Sequence, residues 1–190
     1  MPAATPAARV VVRELRWADF DPIREMYWTL YEERPANPDL GITLFPERPA
    51  YADEVDWFSR LYRAVLRGDT VARVAEIDGT VVGHCDVVPV GPGTRSSEVG
   101  HVGSLGIVVH RDHRGRGAGE ALMRATIAAC RGHFDLVRLS VLATNPRARR
   151  LYERHGFVPY GRLPGGLKRN GRYTDEDLMV LDLRDRTENR

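Results

Sequence analysis

The sequence predicts a mixed α/β domain built on a mostly antiparallel sheet, and three patterns carry that prediction. Runs of β-branched residues recur at strand length, and an Asp-Gly turn joins two of them. Segments with apolar residues at helical spacing lie between other strands. A strand, a glycine-rich turn, a helix and another strand follow in succession over residues 101–143, which is the pattern of one crossover connection. A chain of 190 residues can bury one sizeable core.

The first elements are a strand and two helices. A β-branched run over residues 9–15 predicts the strand, and residues 1–8 read as a flexible tail. Asp21 and Pro22 resemble the N-cap and first turn of a helix with an apolar stripe. A proline-rich loop follows, and a second stripe from Val55 ends near Gly68.

The remaining elements alternate more quickly. Two strands flank Asp78-Gly79, and a third strand covers residues 101–109. A helix to about Arg131, a buried-looking strand over 136–143 and a short helix ending at Gly156 come next. Segments 157–163 and 177–183 read as the last strands. The predicted order is β-α-α-β-β-β-α-β-α-β-β in one domain over residues 9–184, followed by a tail over 185–190.

Composition excludes several classes of protein. The net charge of +2 is too small to indicate a nucleic-acid partner, and no aromatic series accompanies the arginine clusters. Cys85 and Cys130 have no partner at metal-ligand spacing, so we expect no metal and two reduced thiols in a cytoplasmic protein. No apolar run is long enough to span a membrane, and the first residues do not resemble a signal peptide.

The chemically most informative stretch is the turn between the predicted strand over residues 101–109 and the helix that follows it. This stretch reads VVHRDHRGRGAGEALM. The first amides of a helix lack intrahelical partners, and glycine lets a ligand approach them closely. Together with flanking arginines, this arrangement is suited to phosphate. A P-loop would need Gly-Lys-Ser/Thr where Gly119-Glu120-Ala121 stands, and a dinucleotide fingerprint would need glycine in place of Glu120.

Two motifs together resemble the GNAT superfamily of acetyl-CoA-dependent N-acetyltransferases. The first is the (Arg/Gln)-x-x-Gly-x-(Gly/Ala) turn for the pyrophosphate of coenzyme A, which here comprises Arg114, Gly115, Arg116, Gly117, Ala118 and Gly119. The second is an Asn, a helix with Tyr, and Gly-Phe, which here are Asn145, Tyr152, Gly156 and Phe157. The resemblance implies a twisted, mostly antiparallel sheet with helices on both faces.

The resemblance also implies roles for individual residues. The backbone of Ile107, Val108 and Val109 would pair with the pantetheine arm like an added strand. Asn145 would bond the same arm, although its type and position also suit the N-cap of the following helix. Tyr152 would be the general acid for the leaving thiolate, because a phenol with a pKa of about 10 can protonate a thiolate whose thiol has a pKa of about 8.5.

The general base is less clearly marked. His101 begins the strand that leads to the glycine turn, and an imidazole ordinarily has a pKa of about 6.5, so His101 is the candidate. Glu98 lies just upstream and reads as a solvated carboxylate, while His84 and Asp86 on the preceding strand have a structural or surface role by default. An acceptor that arrives as the neutral amine would need no base.

The function implied is acetyl transfer from acetyl-CoA to a primary amine by direct attack in a ternary complex. The acceptor is expected to be a small amine or an amino acid, bound near the first two helices and the last strands. Two alternatives stay open: a coenzyme A-binding regulatory module without turnover, and an acetyltransferase acting on protein N-termini or lysines. A homodimer is also possible, whereas nucleic-acid and membrane partners are not expected.

Overall fold

The computed structural model describes residues 9–37, 40–42, 45–92 and 95–184. In that part of the chain seven strands form one sheet in the order β1-β2-β3-β4-β5-β7-β6. The strands are β1 (Val10–Glu14), β2 (Val71–Ile77), β3 (Thr80–Pro89), β4 (Val102–Val109), β5 (Leu136–Leu142), β6 (Val158–Arg169) and β7 (Arg172–Asp182). All neighbouring pairs are antiparallel except β4 and β5. The predicted fold class and element order are confirmed.

Within the described residues four α-helices cover the two faces of the sheet, as predicted. They are α1 (Phe20–Glu33), α2 (Tyr51–Leu66), α3 (Ala118–Cys130) and α4 (Pro146–Arg154). Leu122 of α3 and Tyr152 of α4 share one apolar core with Cys85 of β3. Ile23 of α1 and Phe58 of α2 belong to a second core on the opposite face. Burial of these two apolar layers is what holds the helices to the sheet.

The single parallel contact creates an opening in the sheet. β4 and β5 pair over only three residues each, Val102–Ser104 with Leu136–Arg138. Beyond this point β4 continues to Val109 and β5 to Leu142, while β4 keeps its antiparallel partner β3 on the other side. The edge of β4 that faces β5 is therefore unpaired after Ser104, and the two strands diverge.

Some boundaries differ from the prediction. Helix α1 begins at Phe20, not at Asp21-Pro22, because Trp17–Asp19 form a 3₁₀ turn that leads directly into it. Asp19 fixes this turn: it accepts hydrogen bonds from the Arg13 guanidinium and from the backbone N–H of Arg16. The predicted tails, 1–8 and 185–190, lie outside the described residues. In the described ranges no helix has the length and apolarity needed to cross a membrane.

Candidate functional site

A cavity of about 750 Å³ lies where β4 and β5 diverge. Its walls come from β4, the glycine turn, α4, the end of α1 and the segment that follows α1. The residues that line it include Leu30, Leu40, Gly41, Ile107, Val108, Val109, Arg114, Gly115, Gly117, Gly119, Asn145, Arg147, Arg150 and Tyr152. The structure thus gathers most of the sequence-predicted site residues around one space.

The glycine turn presents the N-terminus of α3 to this cavity. Gly115 and Gly117 have φ angles of 81° and 88°, a region that residues with a Cβ rarely adopt. Gly117 is the N-cap, and the first intrahelical bond runs from the Ala121 N–H to its carbonyl. The preceding amides of the helix are consequently free for an anion. Ala118 does not line the cavity; it is buried and anchors the helix in the core.

The guanidinium of Arg114 is held by α1. It makes a two-pronged ion pair with Glu33, with N–O distances of 2.6 and 2.8 Å, and its Nε donates to the Val109 carbonyl at 3.0 Å. The hydrogen bonds from Arg114 are the main cause of the lowered pKa of Glu33. Arg114 therefore joins the end of α1 to the phosphate turn. Arg116 is exposed and is not part of the cavity wall.

A stripe of arginines on α4 supplies positive charge that the sequence prediction missed. Arg147, Arg150 and Arg154 all line the cavity, and Arg154 also pairs with Glu120 at 3.0 Å. The signal was present in the sequence, since positions i, i+3 and i+7 lie on one helix face. Arg147 faces the same end of the cavity as Gly115, because one of its nitrogens would lie 3.0 Å from a Cβ on that glycine.

Asn145 has one of its two predicted roles in the structure. Its side-chain oxygen caps α4 by accepting a hydrogen bond of 3.0 Å from the Ala148 N–H. Its amide nitrogen is directed toward Gly41 across the cavity, where a Cβ on the glycine would collide with it. The cap thus fixes the side chain and leaves the amide nitrogen on the cavity wall.

Tyr152 lines the same cavity from α4 while being largely buried. The residue is 8% exposed, and its ring lies 6.0 Å from that of Phe157. Burial raises the pKa of the Tyr152 phenol above its usual value. The hydroxyl is therefore protonated at neutral pH.

His101 lies apart from the cavity. It precedes β4 at the end farthest from the glycine turn, it is exposed, and its Nδ1 is 3.1 Å from the Glu98 carbonyl oxygen. Neither His101 nor Glu98 is among the cavity-lining residues. The base role of His101 stays a prediction that the cavity wall does not support.

Both cysteines are buried and absent from the cavity wall. Burial raises the pKa of the Cys85 thiol, and it raises the pKa of Cys130 to about 12. Thiols with such pKa values are protonated and weakly nucleophilic. In the described ranges no group of three or more His, Cys, Asp or Glu side chains is placed to hold a metal ion.

Comparison with known sequences identifies a family. A sequence model described as the acetyltransferase (GNAT) family matches residues 15–157, which include the glycine turn, α4 and Phe157. Among curated proteins, none matches the chain.

Solved structures share the fold over nearly the whole chain. An N-acetyltransferase from Staphylococcus aureus Mu50 has a TM-score of 0.78 at 17% identity and covers 93% of this chain and 100% of its own. A ribosomal-protein-alanine N-acetyltransferase from Brucella melitensis gives 0.76 at 22% identity, covering 91% and 99%. A phosphinothricin acetyltransferase from Sinorhizobium meliloti, solved in complex with acetyl-CoA, gives 0.74 at 21% identity, covering 92% and 88%. At these identities the likeness is one of fold.

Proposed function

Because the chain belongs to the acetyltransferase (GNAT) family, matched over residues 15–157, we propose that it transfers an acetyl group from acetyl-CoA to a primary amine. The observation that carries the proposal is a single cavity that joins three features. These are the unpaired edge of β4, the free amides at the start of α3 and the hydroxyl-bearing side chain of Tyr152.

The residues present fit the phosphates and the pantetheine arm of coenzyme A. The amides after Gly117 and the arginine stripe of α4 suit the phosphates. Backbone groups of residues 107–109 on the open edge of β4 suit the amides of the pantetheine arm, as in addition of a strand. The Asn145 amide nitrogen faces the same space and suits a pantetheine carbonyl.

We propose direct attack by the amine on the thioester. The neutral amine nitrogen bonds to the carbonyl carbon, the C–S bond breaks, and Tyr152 donates its proton to the departing sulfur. The proton that the nitrogen then loses restores the phenol. Two observations support this route. Burial keeps the phenol of Tyr152 protonated, and the two buried cysteines lie outside the cavity wall, so they are not placed to accept the acetyl group.

The acceptor is proposed to be a small amine or an amino acid. The alternatives are a peptide N-terminus, as in the ribosomal-protein-alanine N-acetyltransferase of similar fold, and binding without turnover. Calorimetric titration with acetyl-CoA tests the cofactor. Thiol release and product mass spectrometry with phosphinothricin, free amino acids, spermidine and an alanine-initiated peptide test the acceptor. Transfer to phosphinothricin, an amino acid or spermidine supports the proposal. Transfer to the peptide alone supports the first alternative.

Two results would count against the proposed acetyl transfer. Absence of acetyl-CoA binding at millimolar concentration contradicts the proposed function altogether. Binding without transfer to any amine of the set supports a regulatory module.

A further inference from the structure

A notch on the α1 face of the sheet exposes the middle of β4 beside a carboxylate of β3. Gly106 is exposed although β4 is a central strand, and its cross-strand partner is Asp86. A Cβ on Gly106 would lie 3.4 Å from Asp86 Oδ1, so the carboxylate lies over the glycine. The Asp86 side chain is 20% exposed. It can therefore be reached by a molecule that enters the notch.

Neither Gly106 nor Asp86 lines the cavity, but the notch lies beside the cavity's Val108 wall, on the same face of β4. Val108 lines the cavity and packs with Met26 and Leu30 of α1. Gly106 lies on the same face of β4 as Val108, about 7 Å along the strand toward the point where β4 and β5 meet. A thioester carried along β4 from the glycine turn would approach this position, because the unpaired edge of β4 ends at Ser104.

We infer that the Asp86 carboxylate is the general base that takes a proton from the acceptor amine, an inference that rests on the proposed function. The ammonium form gives one proton to the carboxylate, and the freed nitrogen lone pair forms the C–N bond. The C–S bond breaks and the sulfur takes the Tyr152 proton. The phenolate recovers the second proton lost by the nitrogen, and Asp86 returns the first to solvent.

The surroundings suit Asp86 to this role. On β3 it has His84 as a neighbour, with His84 Nδ1 3.8 Å from Asp86 Oδ1. Burial lowers the pKa of His84 to about 4, and neither of its ring nitrogens has a hydrogen-bond partner among the described residues. The imidazole is thus neutral at pH 7 and does not compensate the carboxylate charge.

The other facing groups are also uncharged or repulsive. Tyr27 of α1 lies near Asp86 and has a raised pKa, as does Cys85 on the opposite face of β3. Glu54 of α2 acts electrostatically on Tyr27, and its buried carboxylate accepts a hydrogen bond from Trp28 Nε1. Burial raises the pKa of Asp86 to about 7, opposed by a hydrogen bond from its own backbone N–H. The carboxylate can then gain and lose a proton near neutral pH.

The test compares Asp86→Asn with Glu98→Gln, a variant of an exposed carboxylate that precedes β4 and lies away from Gly106. Acetyl transfer to phosphinothricin and to an alanine-initiated peptide is measured from about pH 5.5 to about pH 9. In the wild type kcat/KM should rise with pH with a midpoint near 7. Asp86→Asn should lower kcat/KM by about 10²–10⁴-fold and remove that rise, while the Kd for acetyl-CoA is unchanged. Glu98→Gln should keep both the rate and the profile.

Several outcomes would overturn the assignment. One is an unchanged profile in Asp86→Asn, and another is a weakened affinity for acetyl-CoA equal to the loss of rate. A third is that kcat/KM no longer rises with pH in His101→Ala, which would return the base role to His101. Carbon-13 NMR titration of the wild-type aspartates needs no variant, and an ordinary pKa for Asp86 would also overturn it. A wild type that binds acetyl-CoA but acetylates no amine contradicts the proposed function first, and the role of Asp86 with it.

Discussion

Tyr152 shows how one residue can be both core and reactive group. Its ring belongs to the main apolar core, yet the residue also lines the cavity. Burial raises the pKa of the phenol, which secures the proton but also makes the phenol a weaker acid. Because a thiol has an ordinary pKa of about 8.5, below that of the phenol, the proton transfer is uphill and has to be coupled to cleavage of the C–S bond. The hydroxyl is thus suited to act late, as the C–S bond breaks.

Replacing Tyr152 by Phe should separate chemistry from binding. Loss of the hydroxyl should lower kcat by up to about 10²–10⁴-fold, with a smaller loss if the thiolate leaves unaided. The affinity for acetyl-CoA should change by about 1 kcal/mol or less, the value of one hydrogen bond. Steady-state kinetics and calorimetry measure the two quantities. Tyr160→Phe, on the exposed part of β6, is the control and should change neither. Equal losses in binding and turnover would mean that Tyr152 only positions the cofactor.

At the scale of elements, the start of α3 depends on a glycine that has room around it. A Cβ on Gly117 would meet no atom within 4 Å, so lack of space is not the reason for a glycine at this position. The reasons are its φ of 88° and the close approach of an anion to the helix amides. Gly132, just after the other end of α3, has a φ of 76° and equally open surroundings. The two positions differ chiefly in that Gly117 lines the cavity.

Gly117→Ala and Gly132→Ala form a matched pair for this reason. Each should lose about 1 kcal/mol of unfolding free energy, the cost of a left-handed conformation for a residue with a Cβ. Only Gly117→Ala should also weaken acetyl-CoA binding, by about tenfold or more, because its methyl group obstructs the anion at the helix N-terminus. Urea denaturation and calorimetry give the two quantities. Similar affinities in both variants would locate the phosphate site elsewhere.

The ion pair between Glu33 and Arg114 couples α1 to the phosphate turn. The Glu33 side chain is 13% exposed, and hydrogen bonds from Arg114 lower its pKa from an ordinary 4.5. A carboxylate with a lowered pKa in the folded state stabilises the fold above its unfolded pKa. That stabilisation is lost as the pH falls through the folded value.

Glu33→Gln should therefore destabilise the protein by about 1–2 kcal/mol at pH 7, and the difference from wild type should shrink on acidification below about pH 4.5. Glu32→Gln is the control, since its side chain is 66% exposed and lies 3.9 Å from the Arg111 guanidinium. It should change stability by less than about 0.5 kcal/mol. Urea denaturation at several pH values measures both, and a pH-independent effect of Glu33→Gln would contradict the ion-pair explanation.

Two hairpins show when a local sequence pattern is enough to predict the structure. Asp78-Gly79 predicted a hairpin, and both residues have positive φ angles. Asn170-Gly171 forms the same kind of turn between β6 and β7, but those strands are longer than predicted. The prediction stopped early because the register of β6 shifts between Leu163 and Leu167, and this irregularity disrupts the alternation of apolar and polar residues.

The site was predicted where its residues are local in sequence and missed where they are not. The glycine turn and the Asn145 to Phe157 segment each specify a strand-helix or helix-strand junction. In contrast, the Glu33 to Arg114 pair joins residues 81 positions apart. The place of Asp86 over Gly106 depends on the register between β3 and β4. Such contacts follow from tertiary packing, which spacing along one segment does not encode.

At the scale of the whole molecule, two groups on β3, the buried His84 and the partly buried Asp86, give the fold opposing responses to pH. Burial raises the pKa of Asp86 to about 7 and lowers that of His84 to about 4. For Asp86 the folded pKa lies above the ordinary 3.8, so its contribution to stability is lost as the pH rises through the folded value. For His84 the folded pKa lies below the ordinary 6.5, so stability is lost as the pH falls through this window.

In the wild type these two contributions partly cancel between their pKa values, and stability should change little with pH there. Asp86→Asn removes the opposing carboxylate and should reveal the response of His84. The variant should match the wild type near pH 4 and exceed it by up to about 4 kcal/mol at pH 8, since each pKa unit is worth about 1.4 kcal/mol. Between about pH 4 and 6.5 its stability should rise with pH. Urea denaturation across this range measures both curves. Parallel curves of stability against pH would show that Asp86 titrates alike in the folded and unfolded chains, which contradicts the prediction. A variant that gains stability while it loses acetyl transfer would show that Asp86 is retained for function at a cost to the fold.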